Sequence, residues 1–209
     1  MYNDTYISPN PLAVLKPIKE PRLYTLAEYL KKLENSEELY EYYDGIITKL
    51  PMARIPHNQI STNFSTALNN VIEANGKDYR VLSGQQAVYL PALNTSVFPD
   101  ILVVTDKPLV WDNNQILLIN PILIIEVLSK GTGKYDRKEK FTKYKTLESL
   151  REYVLVDQKV CHVESRFREE PHLWRDTIIK DVSSSIHLKS IDCTIDIQKI
   201  YKHIELKNK

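Results

Sequence analysis

Two apolar runs, each carrying a carboxylate near one end, constrain this chain more than any other feature. Phe98-Pro99-Asp100-Ile101-Leu102-Val103-Val104 holds an acid where its strand begins, and Pro121-Ile122-Leu123-Ile124-Ile125-Glu126-Val127-Leu128-Ser129 holds one close to its finish. Both runs are rich in β-branched residues and too uniformly apolar for a surface strand, so both read as buried strands. A carboxylate placed there is costly unless a cation or several hydrogen bonds compensate it. Two such placements suggest a shared metal ion or a shared proton.

The rest of the chain bounds the answer more loosely. Its 209 residues allow one sizeable core, and we expect an N-terminal arm over residues 1–22 followed by a single domain over 23–209. A net charge of +1 neither demands nor excludes a polyanionic partner. Cys161 and Cys193 stand alone, without CxxC or a His cluster, which argues against a disulfide framework and a structural zinc site and fits a reducing cytoplasm. No stretch approaches the ~20 apolar residues needed to span a bilayer, and the N-terminus lacks the layout of a signal peptide.

In chain order, Pro9, Pro11, Pro17 and Pro21 resist regular structure before Thr25-Leu26-Ala27-Glu28, whose spacing is that of a capping box opening a short helix. Asp44-Gly45 predicts a tight hairpin within 40–50. Ile60, Phe64, Leu68, Val71 and Ile72 recur at helical spacing, and Asn75-Gly76 supplies a left-handed stop. Between Tyr79 and Leu90 we expect one strand, interrupted or bulged at Ser83-Gly84. Strands from Asp100, near 116–119 and over 122–128 form the centre of the sheet. A basic helix follows, with seven Lys or Arg between Lys130 and Lys145 and one apolar side. Tyr153 to Val156 and Val160 to Phe167 pair across Asp157-Gln158, and a strand near 186–188 and a helix near 197–204 close the chain. The fold class is α/β (α+β), a mixed sheet flanked by helices.

Neighbouring strands would bring Asp100 and Glu126 together, and hard oxygen ligands in such a pair suit Mg²⁺ or Mn²⁺ rather than zinc. Each acid could equally cap its strand or pair with an arginine, and spacing alone leaves the two readings even. Lys140 lies one helical turn from both Arg137 and Tyr144, so its stem can follow the apolar side while its ammonium reaches the sheet end. By position alone it is more often a solvated charge. Lys134, Arg137, Lys138 and Lys143 would suit a phosphate backbone, although most basic runs are simply solvated faces. Glu41, His57 and Gln85 are secondary candidates. No G-x-S-x-G, P-loop, G-x-G-x-x-G or H-E-x-x-H motif occurs, which removes motif support for Ser-triad, nucleotide and zinc-protease chemistry.

The ordered set Tyr40-Glu41 with Gly45, His57, Phe98-Pro99-Asp100, Glu126-Val127-Leu128-Ser129, Tyr135-Asp136-Arg137 with Lys140 and Tyr144, and Glu152 to Asp157 resembles the Uma-type putative restriction endonuclease family of the PD-(D/E)XK nuclease superfamily. The resemblance spans roughly Tyr24 to Tyr201. It implies a restriction-endonuclease-like core, a homodimer, and Mg²⁺- or Mn²⁺-dependent hydrolysis of DNA phosphodiesters. Asp100 and Glu126 would be the metal ligands. Leu128 stands where the superfamily usually carries its lysine, which makes Lys140, on the following helix, the replacement. The departure at Leu128 also motivates the alternative of a catalytically inactive module that binds DNA or protein.

Overall fold

The computed structural model describes residues 22–129 and 133–207, without the side chain of Lys134. The expected Pro-rich arm falls, except for Arg22, outside the described residues.

Helix α1 (Leu26–Glu34) starts where its capping box requires. The Glu28 amide donates to Thr25 Oγ1 at 3.2 Å, and the Thr25 amide donates to Glu28 Oε2 at 2.8 Å. Strands β1 (Tyr40–Tyr43) and β2 (Ile46–Lys49) form the hairpin, with Asp44 and Gly45 both at positive φ as a tight turn demands. Helix α2 (Ile55–Ala74) buries Ile60, Phe64, Ala67, Leu68 and Ile72 along one stripe. It ends in a Schellman motif: Lys77 donates to the Ile72 carbonyl, Gly76 donates to that of Glu73, and Gly76 adopts φ +59°.

The expected single strand over 79–90 is in fact two strands in different sheets. Gly84, at φ +87°, turns the chain between β3 (Tyr79–Ser83) and β4 (Ala87–Leu90). Three further strands lie outside the sequence expectations, β5 (Thr95–Val97), β11 (Leu173–Ile179) and, near the end of the chain, β13 (Cys193–Asp196). The remaining strands are β6 (Ile101–Thr105), β7 (Leu117–Leu118), β8 (Leu123–Leu128), β9 (Glu152–Asp157), β10 (Val163–Glu170) and β12 (Ser185–Leu188).

A six-stranded mixed sheet runs β11-β10-β9-β8-β6-β3, and a five-stranded sheet runs β2-β1-β5-β4-β7. Alternation along the central strands sorts side chains between two cores. Ile101, Val103, Leu123, Ile125, Val127, Val154 and Val156 face α2, the β12–β13 hairpin and α5 (Ile197–Ile200). Leu102, Val104, Ile124, Leu128, Tyr153 and Leu155 face the other way, onto Val88, Leu90, Val97 and Leu118 of the smaller sheet. One face of the central sheet is therefore covered by a second sheet, not by helices alone. Each fully buried Ile, Leu or Phe here contributes about 1.5–3 kcal/mol.

The basic segment after β8 is helical, as α3 (Gly133–Tyr135), a π-helical stretch Asp136–Lys140 and α4 (Phe141–Tyr144). Its apolar side packs Phe141 and Tyr144 against Tyr153. The Arg166 guanidinium also donates to the Arg137 carbonyl, which ties the π-helical stretch to β10.

Candidate active site

Sheet register brings the two strand-end acids together. Strands β6 and β8 are antiparallel neighbours with Ile101 opposite Ile125, so the residue before Ile101 meets the residue after Ile125. Those residues are Asp100 and Glu126. The two also have the same parity as Leu102 and Ile124, which places both on the face turned toward α4. The Val127 amide donates to Asp100 Oδ2 at 2.7 Å, so the β8 backbone itself holds the Asp100 carboxylate.

Glu126 is buried, and its Oε1 accepts from Lys140 Nζ at 2.9 Å and from the Tyr144 hydroxyl at 3.0 Å. One turn of helix separates these donors, so a single helical face delivers both to one oxygen. Asp136 lies one turn on the other side, with its Oδ1 3.8 Å from Lys140 Nζ. Glu41 enters from β1, where Oε1 accepts from the Phe98 amide at 3.4 Å and Oε2 accepts from the Tyr43 hydroxyl. His57, in the first turn of α2, places Nε2 3.1 Å from Asp100 Oδ2.

The electrostatics follow from burial and from crowding of charge. Burial pushes the Glu126 carboxyl up to about 8, and the negative charges of Asp100 and Asp136 work in the same direction against the pull of Lys140. Burial also opposes the Lys140 ammonium, but four carboxylates, Glu126, Glu41, Asp136 and Asp100, outweigh it and hold the lysine charged above its usual range. Burial likewise opposes the His57 imidazolium, and the hydrogen bond and charge of Asp100 more than offset it.

A buried glutamate is not by itself a site, as Glu152 makes plain. Its Oε1 accepts from the Ser165 hydroxyl at 2.5 Å, and its Oε2 accepts from the Ser190 amide and hydroxyl at 2.9 and 2.8 Å. Both oxygens are satisfied. Asp100 and Glu126 differ, because each commits one oxygen to the protein while the other accepts from no donor among the described residues. Both acids line a cavity of about 1190 Å³, with His57, Glu41, Asp136 and Lys140 on the same wall system and Gln85 also contributing.

This donor set fits a hard divalent cation. Among the described residues no group of three or more His, Cys, Asp or Glu side chains could hold an ion unaided. A cation here would take Asp100 and Glu126 and complete its shell with water and substrate oxygens, which is the usual habit of Mg²⁺.

The structure distributes the sequence candidates unequally. Asp100, Glu126, Lys140, Glu41 and His57 converge. Gln85 lines the cavity, but as an exposed residue. Of the four basic candidates for a phosphate backbone, Arg137 is paired to Glu164 at 3.0 Å. Lys143 donates to the Tyr135 hydroxyl at 2.8 Å and lies over the rings of Tyr43 and Tyr135. Lys138 is exposed, and the Lys134 side chain lies outside the described residues. Sequence reasoning passed over Asp136 and Tyr144 as site residues, although their spacing of four on either side of Lys140 was the available signal.

Comparison with known proteins agrees with this architecture. An uncharacterized protein of Synechocystis sp., sll1609, is 32% identical over 153 residues, covering 73% of this chain and 85% of its own. A second from the same organism, slr1290, is 29% identical over 177 residues, covering 84% and 90%. A crystal structure described as a putative nuclease belonging to DUF820, from Anabaena variabilis, superposes with a TM-score of 0.64 at 18% identity, covering 83% of this chain and 97% of that one. It shows a shared fold, the mixed sheet and flanking helices expected from the sequence. The family model described as "Uma2: Putative restriction endonuclease" matches residues 26–196. This chain belongs to the Uma2 family.

Proposed function

We propose that the protein is a divalent-cation-dependent endonuclease that hydrolyses DNA phosphodiester bonds. The observation that carries this reading is the convergence of two half-committed carboxylates, Asp100 and Glu126, with a buried ammonium, Lys140, at one cavity wall. The family's description and that of the Anabaena structure support the same reaction class.

Asp100 and Glu126 would hold Mg²⁺ or Mn²⁺. Such an ion supplies Lewis-acid chemistry, activating water and polarising a phosphoryl group. The chain's own residues do the rest. His57 and the Val127 amide fix Asp100, while Tyr144 and Lys140 fix Glu126. Lys140 supplies a preorganised positive charge where a phosphate oxygen gains negative charge in the transition state. What this chemistry needs is an ammonium at a point in space, and a lysine from the helix after β8 serves as well as one at Leu128. A homodimer would provide two such sites for the two strands of a duplex.

Incubation of supercoiled plasmid with the purified protein tests the proposal. Nicked or linear product is expected with Mg²⁺ or Mn²⁺ and not with EDTA, and Asp100→Asn and Glu126→Gln should remove it while leaving the thermal unfolding transition in place. Cleavage by Asp100→Asn at the wild-type rate would refute the assignment. Absence of cleavage of plasmid, linear duplex and single strands alike would favour the inactive binding module.

A further inference from the structure

The helix that looked most suited to a phosphate backbone is largely occupied with its own fold, which directs attention to the mouth of the cavity. Three chain segments bring unpaired cations there. Arg54 precedes α2 by one residue, three residues before the His57 that touches Asp100. Lys159 lies just past β9, and β9 runs parallel to β8 with Asp157 opposite Leu128, so its turn leaves the sheet at the same end as Glu126. The C-terminal segment is tied down at that turn, with the Lys207 amide donating to the Lys159 carbonyl at 2.8 Å. All three side chains are exposed, line the cavity and have no acidic partner among the described residues. Lys49 also lines it but is paired to Glu38, and Glu205 is the exposed acid of the rim.

The same rim carries an apolar projection. Met52 lines the mouth at 96% exposure, and Ile55, three residues on at the start of α2, is 84% exposed, with Pro51 in the loop between β2 and α2 and Pro56 in the first turn of α2. Met52 and Ile55 thus offer two large aliphatic side chains free to pack on whatever approaches this charged mouth. Glu126, only 3% exposed, lies deep behind the Asp100 side chain, which is 21% exposed, so a straight duplex laid across the mouth would not bring one phosphate to both acids. An unpaired strand would be held by stacking on aromatic rings, but among the described residues none of the exposed ones lining the mouth is aromatic. Aliphatic wedges beside basic residues suit a duplex that is unstacked and kinked at one step.

We propose, building on the nuclease reading, that DNA docks as a locally distorted duplex at this mouth, its backbone held by Arg54, Lys159 and Lys207 and one base step opened by Met52 with Ile55. The basic helix 133–144 is not the principal docking surface.

Fluorescence anisotropy in Ca²⁺ with a perfect duplex, the same duplex containing a bulge, and its single strand tests this, with Mg²⁺-dependent cleavage assayed in parallel. Wild type should bind the bulged duplex at least several-fold more tightly than either other form. The Arg54→Ala/Lys159→Ala/Lys207→Ala variant should weaken binding of every form, with the slope of log K against log salt shallower by about three on duplex. The Met52→Ser/Ile55→Ser variant should keep the salt slope and lose the preference for the bulge. All five positions are exposed, so wild-type thermal transitions are expected throughout.

An unchanged slope in the triple variant, a comparable loss from Lys138→Ala, or tightest binding to the single strand would overturn the proposal. So would conversion of a dimer to monomers by Met52→Ser/Ile55→Ser with DNA binding unaltered, which would assign the projection to a second copy of the chain. Cleavage by wild type alongside any of these results would leave the nuclease reading standing, whereas neither binding nor cleavage would remove both.

Discussion

At the scale of single residues, the account depends on Lys140, a lysine buried among acids. Its ammonium is received by Glu126 and Asp136, so it is both a structural counter-charge and the proposed electrostatic catalyst. The two roles separate experimentally. Lys140→Met should lower cleavage by roughly 10²–10³-fold and, above pH 8 where Glu126 is ionised, destabilise the protein by about 3–5 kcal/mol, because it strands a buried carboxylate. Adding Glu126→Gln should recover much of the stability and none of the activity. Denaturant unfolding of the single and double variants checks this, and full additivity of the two stability effects would show that the pair is not coupled. Asp100 and Glu126 were legible in the sequence because an acid bounding an apolar run breaks the pattern around it. Tyr144 was not, since a tyrosine at a core position of a helix gives no sign that its hydroxyl reaches a carboxylate.

At the scale of elements, local chemistry was a good guide wherever a short motif decides the geometry. The Thr25/Glu28 capping box, the Asp44-Gly45 turn and the Asn75-Gly76 stop all occur where their residues require. Gly76 gives a quantitative check. A Cβ there would meet nothing within 4 Å, so Gly76→Ala carries only the strain of φ +59° and should cost about 1–2 kcal/mol. Thermal or urea unfolding reads that directly, and a neutral effect would mean that the Schellman turn does not hold α2. Elements defined by distant partners were less legible. Strand β5 is three residues, Thr95-Ser96-Val97, with polar side chains that are buried only because β1 and β4 flank it. Nothing in Tyr79 to Leu90 says that Gly84 sends the chain into another sheet. The π-helical stretch Asp136–Lys140 is equally silent in sequence, yet it sets the helical face that meets Glu126.

At the scale of the whole molecule, two sheets and the helix after β8 force the acids and the lysine together, and the energy of that arrangement depends on pH. The folded state raises Glu126 from its ordinary 4.5 to about 8, so it binds a proton more readily than the unfolded chain across that window. Stability of metal-free protein should therefore fall as pH rises from 4.5 toward 8. His57 is also raised above its ordinary 6.5, and its contribution is present below that value and lost as pH rises through the folded one, which is the same direction. Thermal melts in EDTA should decline between pH 5 and 8, more shallowly in Glu126→Gln. Saturating Mn²⁺ should restore stability at the upper end, by about 2.7 kcal/mol at a hundredfold excess over Kd. An equal slope in Glu126→Gln would place the pH dependence elsewhere. The central claim, that Asp100 and Glu126 share an ion beside Lys140, is tested most directly by anomalous scattering from a crystal soaked in Mn²⁺. One peak should lie between the open oxygens of Asp100 and Glu126 with the Lys140 ammonium adjacent, and no peak there with both carboxylates ordered would contradict it.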